Sequence, residues 1–179
     1  MVYGIRKNLH NNFSVFEKNK LPPRAYMIPY GDKKKLKATS YAGDRYASDT
    51  VRILNGVWDF KFYESITRLP ERFDSARVRF GRIKVPADWQ REGIQPPVYL
   101  NCPYEFKTME PEIPDDMPVG VYRTFFDIEK TDKTYILSFL GVANNISLYM
   151  NGRFVGYSEG SHNTAEFDVL KTLNHHIPY

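Results

Sequence analysis

The clearest pattern in the sequence is an alternation of apolar and polar residues through its last third. Residues Tyr135 to Val142 are almost continuously apolar, which predicts a strand buried on both faces. Ile146, Leu148 and Met150 then alternate with polar residues, as in a half-buried strand. Ser158–Asn163 predicts a loop, after which Ala165, Phe167 and Val169 alternate with Glu166 and Asp168.

A turn signal divides this region. Asn151-Gly152 predicts a type I′ hairpin turn, because that turn needs positive φ at both central residues. Arg153 to Tyr157 would then form the return strand. The region is therefore predicted to be an antiparallel meander without a helix.

Earlier in the chain, three further segments predict strands. Trp58, Phe60 and Phe62 share one face of a strand over Val57–Tyr63. The other two strands are predicted at Arg82–Val85 and Val121–Glu129, on either side of a long loop at Ala87–Pro118. Short strands separated by turn signals indicate an all-β fold, an antiparallel β-sandwich.

Residues 1–50 show little periodicity and predict an arm and loop that dock on the domain formed by residues 51–179. Asn19–Tyr30 contains paired prolines, which disfavour the middle of a sheet, so we expect it to lie extended across another surface. Gly31–Ser40 predicts an exposed loop.

Composition narrows the class of protein. The chain has 179 residues with 42% hydrophobic and 15% aromatic content, which is typical of a globular domain. The net charge is +4, and the lysines at 33–35 and 37 predict a solvated loop rather than a nucleic-acid site. The single cysteine, Cys102, excludes an intramolecular disulfide. With no signal-peptide pattern in Met1–Phe13 and no membrane-length apolar run, we expect a cytoplasmic protein.

One motif suggests nucleophilic catalysis. Residues Gly156 to Gly160 fit the G-x-S-x-G elbow of α/β-hydrolases, with Asp168 and His175 following in triad order. The elbow needs a helix directly after the serine, whereas the pattern here predicts a strand. We therefore interpret Ser158 as a turn residue whose hydroxyl bonds nearby backbone.

The long loop carries the remaining polar and aromatic candidates. Its acidic residues could serve a glycosidase, but loop charge is the simpler interpretation for Glu105, Glu110, Glu112, Asp115 and Asp116. Trp89, Tyr99 and Tyr104 could stack on a sugar or cap the core, and for Trp89 the core is favoured. Asn101 is either a turn residue or an amide that faces a ligand.

Several segments together resemble the N-terminal domain of β-galactosidases of glycoside hydrolase family 2. Their order along residues 20–170 makes the resemblance specific. The segments are Leu21–Tyr26, Ile28–Tyr30, Leu54–Phe62, Val85–Gln90, Pro97–Asn101, Pro118–Arg123, Phe139–Val142, Asn151-Gly152, Val155–Ser158 and Ala165–Asp168.

The resemblance implies a jelly-roll, galactose-binding-like sandwich, often called the sugar-binding domain. It implies a retaining enzyme that hydrolyses terminal β-D-galactosides such as lactose, with its two catalytic glutamates on a separate barrel. This chain would then carry no catalytic residue, metal ligand or cofactor, although the full-length enzyme can bind a divalent metal and sodium. By the same resemblance, Asn101 would hydrogen-bond a sugar hydroxyl in the galactose subsite.

Two departures from the family pattern are visible. His162 stands where the family usually has arginine, and residues 174–179 replace a further strand. We therefore expect a sandwich that lacks its closing strands and depends on the missing downstream domains. Such a chain would self-associate through its exposed strand edges, swap strands or be only marginally stable. The alternatives are a free-standing carbohydrate-binding module, or the same domain of a β-glucuronidase or β-mannosidase.

Overall fold

The computed structural model describes residues 1–40, 44, 46–97, 113–128 and 133–170. Within them the protein is an all-β antiparallel β-sandwich, as the sequence predicts. All strand pairs are antiparallel. The strands are β1 (Val2–Gly4), β2 (Glu17–Lys18), β3 (Gly56–Tyr63), β4 (Arg72–Asp74), β5 (Gly81–Val85), β6 (Val119–Arg123), β7 (Ile136–Phe139), β8 (Asn145–Met150), β9 (Arg153–Glu159) and β10 (Ala165–Asp168).

The predicted hairpin is confirmed as β8 and β9. Its turn residues have φ values of 49° at Asn151 and 81° at Gly152, the left-handed conformation that a type I′ turn requires. The pairing shifts register between Leu148 and Tyr149, which marks a bulge. The other edge of β9 pairs with β2.

The hairpin packs face to face against the two-stranded sheet of β7 and β10. Phe167 is fully buried at the centre of this core, with Val155, Ala165 and Val169 around it. Phe167 and the two valines each contribute about 1.5–3 kcal/mol when fully removed from water. The predicted burial of both faces of the strand at Tyr135–Val142 is wrong, because β7 alternates and leaves Ile136 exposed.

Another sheet has the strand order β5–β3–β6. Phe60 and Ile83 are buried on its inner face. The predicted strand at Val121–Glu129 is too long at its carboxyl end, because β6 ends at Arg123. Pairing with β3 ends at the Asp59–Arg123 pair, and residues 124–128 pair with no strand among those described.

The N-terminal residues attach to both parts of the sandwich. β1 pairs with β4 and β2 pairs with β9. The backbone N–H of Leu21 donates to the carbonyl of Glu166 at 2.8 Å, so the extended segment lies along β10. The segment Gly31–Ser40 is exposed, but it is not simply a loop.

A short helix, α1 (Lys33–Ala38), lies in that exposed segment. It begins after Asp32, whose carboxylate accepts a hydrogen bond from the N–H of Lys34, an N-cap that the loop prediction overlooked. Among the described helices, none has the length and apolar character needed to cross a membrane.

Candidate functional site

The candidate site is the long loop between β5 and β6. Asn101 itself lies outside the described residues, as do Tyr99, Tyr104, Glu105, Glu110 and Glu112. The structure does describe both ends of the loop, at residues 86–97 and 113–118. Because β5 and β6 are the two neighbours of β3, both ends start from the same sheet.

The first end is a tight turn that places Trp89 against the sheet. The N–H groups of Arg91 and Ile94 donate to the carbonyls of Asp88 and Trp89, respectively, at 3.0 Å. The Trp89 ring lies edge-on to Phe62, with 5.4 Å between ring centroids. Its indole N–H donates to the side-chain carbonyl of Gln95 at 2.9 Å. Trp89 therefore packs on the aromatic face of β3, which supports its interpretation as a core residue.

Gly120 makes this packing feasible. A Cβ atom at residue 120 would lie 2.8 Å from the rings of both Phe60 and Trp89, closer than real carbon contacts. The glycine on β6 thus leaves the space that the Trp89 ring requires. Strand β6, which follows the loop, therefore packs closely against the turn that begins the loop.

The same end of the loop brings a carboxylate near a phenol. Burial raises the pKa of Tyr122, and the negative charge of Asp88 raises it further. Tyr122 also packs against Phe60 at 4.7 Å between ring centroids. This places a neutral hydroxyl and a carboxylate beside the base of the loop.

The second end of the loop is held by the turn after β3. Ser65 is buried, and its hydroxyl donates to the carbonyl of Asp115 at 2.7 Å. The N–H of Ile66 donates to the carbonyl of Met117 at 2.9 Å. The side-chain amide of Asn11 reaches the Asp115 carboxylate at 3.5 Å.

Ser65 was not identified from the sequence. Its contact with Asp115 spans 50 residues and leaves no local pattern. The only local signal is that Ser65 precedes a short 3-10 turn and accepts a hydrogen bond from the N–H of Thr67. Asp115 and Asp116 are exposed, in agreement with their interpretation as loop charge.

The serine of the G-x-S-x-G motif does not sit in a nucleophile elbow. Ser158 lies within β9, pairs with Ile146 and Glu17, and is buried. Its predicted place in a turn is wrong, because β9 continues to Glu159. The hydroxyl lies 3.4 Å from the carbonyl of the following residue, so it bonds nearby backbone as expected.

The other members of that motif do not assemble around Ser158. The carboxylate of Asp168 accepts a hydrogen bond from the N–H of Leu170 at 2.9 Å, and His175 lies outside the described residues. Across the described part of the chain, no group of three or more histidine, cysteine or acidic residues has the arrangement of a metal site.

Comparison with known proteins identifies the family to which this chain is similar. Residues 51–176 match the sugar binding domain of the glycosyl hydrolases of family 2. The β-galactosidase of Actinobacillus pleuropneumoniae is 36% identical over 94% of this chain. The β-galactosidase of Staphylococcus xylosus is 32% identical over 92% of it, and that of Photobacterium profundum is 36% identical over 75%.

The chain spans 16% of the length of the first two of these relatives and 14% of the third. The family match covers the sheet β5–β3–β6, the loop between β5 and β6, and the hairpin β8–β9. The sandwich, its long anchored loop and these sequence matches agree, and the chain therefore belongs to family 2 of the glycosyl hydrolases, with residues 51–176 forming its sugar binding domain.

Proposed function

We propose that this chain is the non-catalytic N-terminal domain of a retaining β-galactosidase that hydrolyses terminal β-D-galactosides such as lactose. The observation that carries the proposal is that nearly the whole chain matches β-galactosidases. The match covers only 16% of the length of those relatives. The catalytic glutamates and any divalent metal or sodium site would belong to the remainder of a cytoplasmic enzyme.

We also propose that Asn101 binds a sugar hydroxyl in the galactose subsite. Support comes from the two ends of its loop. Trp89 is packed into the sheet at one end, and Asp115 is held by Ser65 at the other. A loop fixed at both ends costs less entropy to order around a ligand than a free segment does.

The carboxyl groups of the described residues support a non-catalytic role. A retaining glycosidase needs two carboxyl groups about 5 Å apart, and the pKa of the acid must be raised. Each described carboxyl group with a shifted pKa has a lowered pKa, not a raised one. These groups are Asp49, Asp59 and Glu166.

Steady-state kinetics of the full-length enzyme test the role of Asn101. We expect Asn101→Ala to lower kcat/KM roughly 5- to 150-fold. This corresponds to a loss of about 1–3 kcal/mol of transition-state stabilisation, because a buried polar partner loses its hydrogen bond. The matched control is Asn8→Ala at an exposed position, which should leave kcat/KM unchanged. An unchanged kcat/KM for Asn101→Ala would remove Asn101 from the site.

Two measurements test the rest of the proposal. Turnover of a chromogenic β-galactoside by this chain alone would show that it is catalytic. Calorimetric titration of this chain with galactosides separates the proposal from a free-standing carbohydrate-binding module, which would bind them without any other domain. Preference of the full-length enzyme for β-glucuronides or β-mannosides would reassign the substrate.

We further propose that the isolated chain self-associates through its strand edges. Among the described strands, only β3 and β9 have a strand on both sides, so strands such as β5, β6 and β8 each keep an unpaired edge. Unpaired edge N–H and C=O groups readily take up another strand. Size-exclusion chromatography should therefore show a concentration-dependent oligomer, and a monomer at all concentrations would refute this.

A further inference from the structure

The sheet β5–β3–β6 has a packed face and an outward face, and the outward face is exposed along β5 but partly buried along β3 and β6. Phe60 and Ile83 point to the packed face and are buried. Alternate residues therefore point outwards. Two large apolar side chains are exposed near this face: Val57 on β3 is 58% exposed, and Phe125 just beyond β6, whose ring centroid lies 5.2 Å from the Arg123 guanidinium, is 77% exposed.

An open pocket with a mostly polar lining lies beside these side chains. It has a volume of about 230 Å³ and lies between residues 52–58 and residues 124–126. It forms because pairing of β3 with β6 stops at Asp59 and Arg123, after which the two segments separate. Since a water molecule takes up about 30 Å³ of liquid, the pocket has room for a side chain from a partner.

Positive charge surrounds the apolar residues. Register places Lys84 beside Val57, and Arg82 beside Asp59 on the same outward face. Lys61 is two residues from Asp59 and so shares that face. Arg52 lies at the pocket and donates to the backbone carbonyl of Asp127.

The acidic side chains nearby neutralise only part of this charge. Asp59 is held between Arg82, at 2.9 Å, and Arg123, at 2.6 Å. With Asp127 as the other carboxylate, five cations face two anions, so the net charge of the face is positive. The cations are Arg52, Lys61, Arg82, Lys84 and Arg123, and together with Val57 and Phe125 they define the docking face.

We propose that the docking face binds an acidic surface with an apolar centre on the remainder of the same β-galactosidase polypeptide. This inference rests on the proposed function, because the partner lies in the part of the enzyme that this chain does not span. Exposed apolar area rimmed by charge is typical of an interface. Charge complementarity then sets the orientation of the two surfaces.

Charge also disfavours other occupants. A symmetric contact with a second copy would bring Lys84 and Arg82 against their own equivalents, and such like-charge contacts are costly. A nucleic acid would contact cations, but it would leave Phe125 and Val57 without an apolar partner. An acidic protein surface satisfies both parts of the face.

Lysine labelling of the full-length enzyme with an amine-reactive reagent, read by mass spectrometry, tests the proposal. Lys84 is exposed in this structure, as are Lys33 and Lys34 of α1. We expect Lys84 to react at least about tenfold more slowly than Lys33 and Lys34, because the partner covers it. Phe125→Glu should restore its reactivity, while Phe16→Glu, at another exposed phenylalanine, should not.

Every outcome of this experiment is informative. Equal labelling of Lys84, Lys33 and Lys34 in the wild-type enzyme overturns the proposal, even if the Phe125→Glu variant fails to fold. Protection that disappears on dilution assigns the face to a second copy instead, and protection only after RNA is added assigns it to nucleic acid. No activity is measured, so failure here leaves the test of Asn101 intact.

Discussion

Arg24 holds Glu166 by two hydrogen bonds across the edge of β10. The guanidinium Nε lies 2.8 Å from Oε2 and Nη2 lies 2.7 Å from Oε1. Ser138 donates a third hydrogen bond to the same carboxylate at 2.8 Å. Glu166 is only 8% exposed, so the N-terminal arm supplies the charge that a buried carboxylate requires.

Arg24→Ala should destabilise the fold by about 1–2 kcal/mol. This is less than the cost of breaking a fully buried pair, since Arg24 is partly exposed. Urea unfolding measures the loss. The matched control is Arg68→Ala, which breaks an exposed pair with Glu64 and should cost less than about 0.5 kcal/mol. Equal losses for the two variants would show that the Arg24 contact is ordinary surface charge.

The same pair predicts a pH dependence of stability. Burial raises the pKa of Glu166, but the hydrogen bonds from Arg24 and Ser138 and the charge of Arg24 outweigh it, so the net pKa is lowered. A lowered folded-state pKa stabilises the fold above the unfolded value of about 4.3, and this contribution is lost as pH falls through the folded value.

Glu166→Gln removes this titration. The difference in unfolding free energy between wild type and Glu166→Gln should therefore be largest near pH 7 and shrink below about pH 4. Urea unfolding at a series of pH values measures it. A difference that stays constant across this range would contradict the assignment.

Gly156→Ala should be strongly destabilising. A Cβ at residue 156 would overlap the Phe167 ring and lie 2.8 Å from the carbonyl of Lys18. Overpacking of this kind costs about 1–3 kcal/mol or more. Gly4→Ala is the matched control, because a Cβ there meets nothing within 4 Å and should change stability by less than about 0.5 kcal/mol. Thermal unfolding of both variants decides the matter.

Arg123 and Arg82 should differ in importance although both bind Asp59. Arg123 makes two bonds to the carboxylate, donates to the carbonyl of Ser75, and lies 4.0 Å from the ring centroid of Phe80. Arg82 makes one bond and is mostly exposed. We expect Arg123→Ala to cost about 2 kcal/mol and Arg82→Ala less than about 1 kcal/mol.

Titration of Asp59 by NMR provides a second measurement for this pair. The hydrogen bond from Arg123 is the main reason that the pKa of Asp59 is lowered, and the charge of Arg82 contributes less. Arg123→Ala should therefore raise the pKa of Asp59 more than Arg82→Ala does. The reverse order would show that Arg82 is the main partner.

Local sequence signals predicted the parts of the fold that depend on neighbouring residues. Asn151-Gly152 fixed the hairpin because its left-handed backbone is an intrinsic property of those two residues. The alternation in Val57–Tyr63 fixed β3 in the same way. The extension of β6 to residue 129 was wrong because a strand also needs a partner, and alternation does not reveal where the partner ends.

Contacts between distant residues could not be predicted in this way. Glu166 has the pattern of an outward polar residue, yet it is buried because Arg24 pairs with it. Arg24 lies 142 residues earlier in the sequence, so no local pattern reveals this contact. Ser65 and Asp115 likewise meet across the fold. Asn101 entered only through the family resemblance, since nothing in its own surroundings separates a turn amide from one that binds a ligand.

The long separation between Arg24 and Glu166 also governs when the arm can dock during synthesis. A ribosome adds about 5–20 residues per second, so the arm waits roughly 7–28 seconds before residue 166 is made. Until then its apolar and cationic side chains are available to chaperones and to other nascent chains. The arm therefore cannot make this contact until β10, which is made 142 residues later, has also been synthesised.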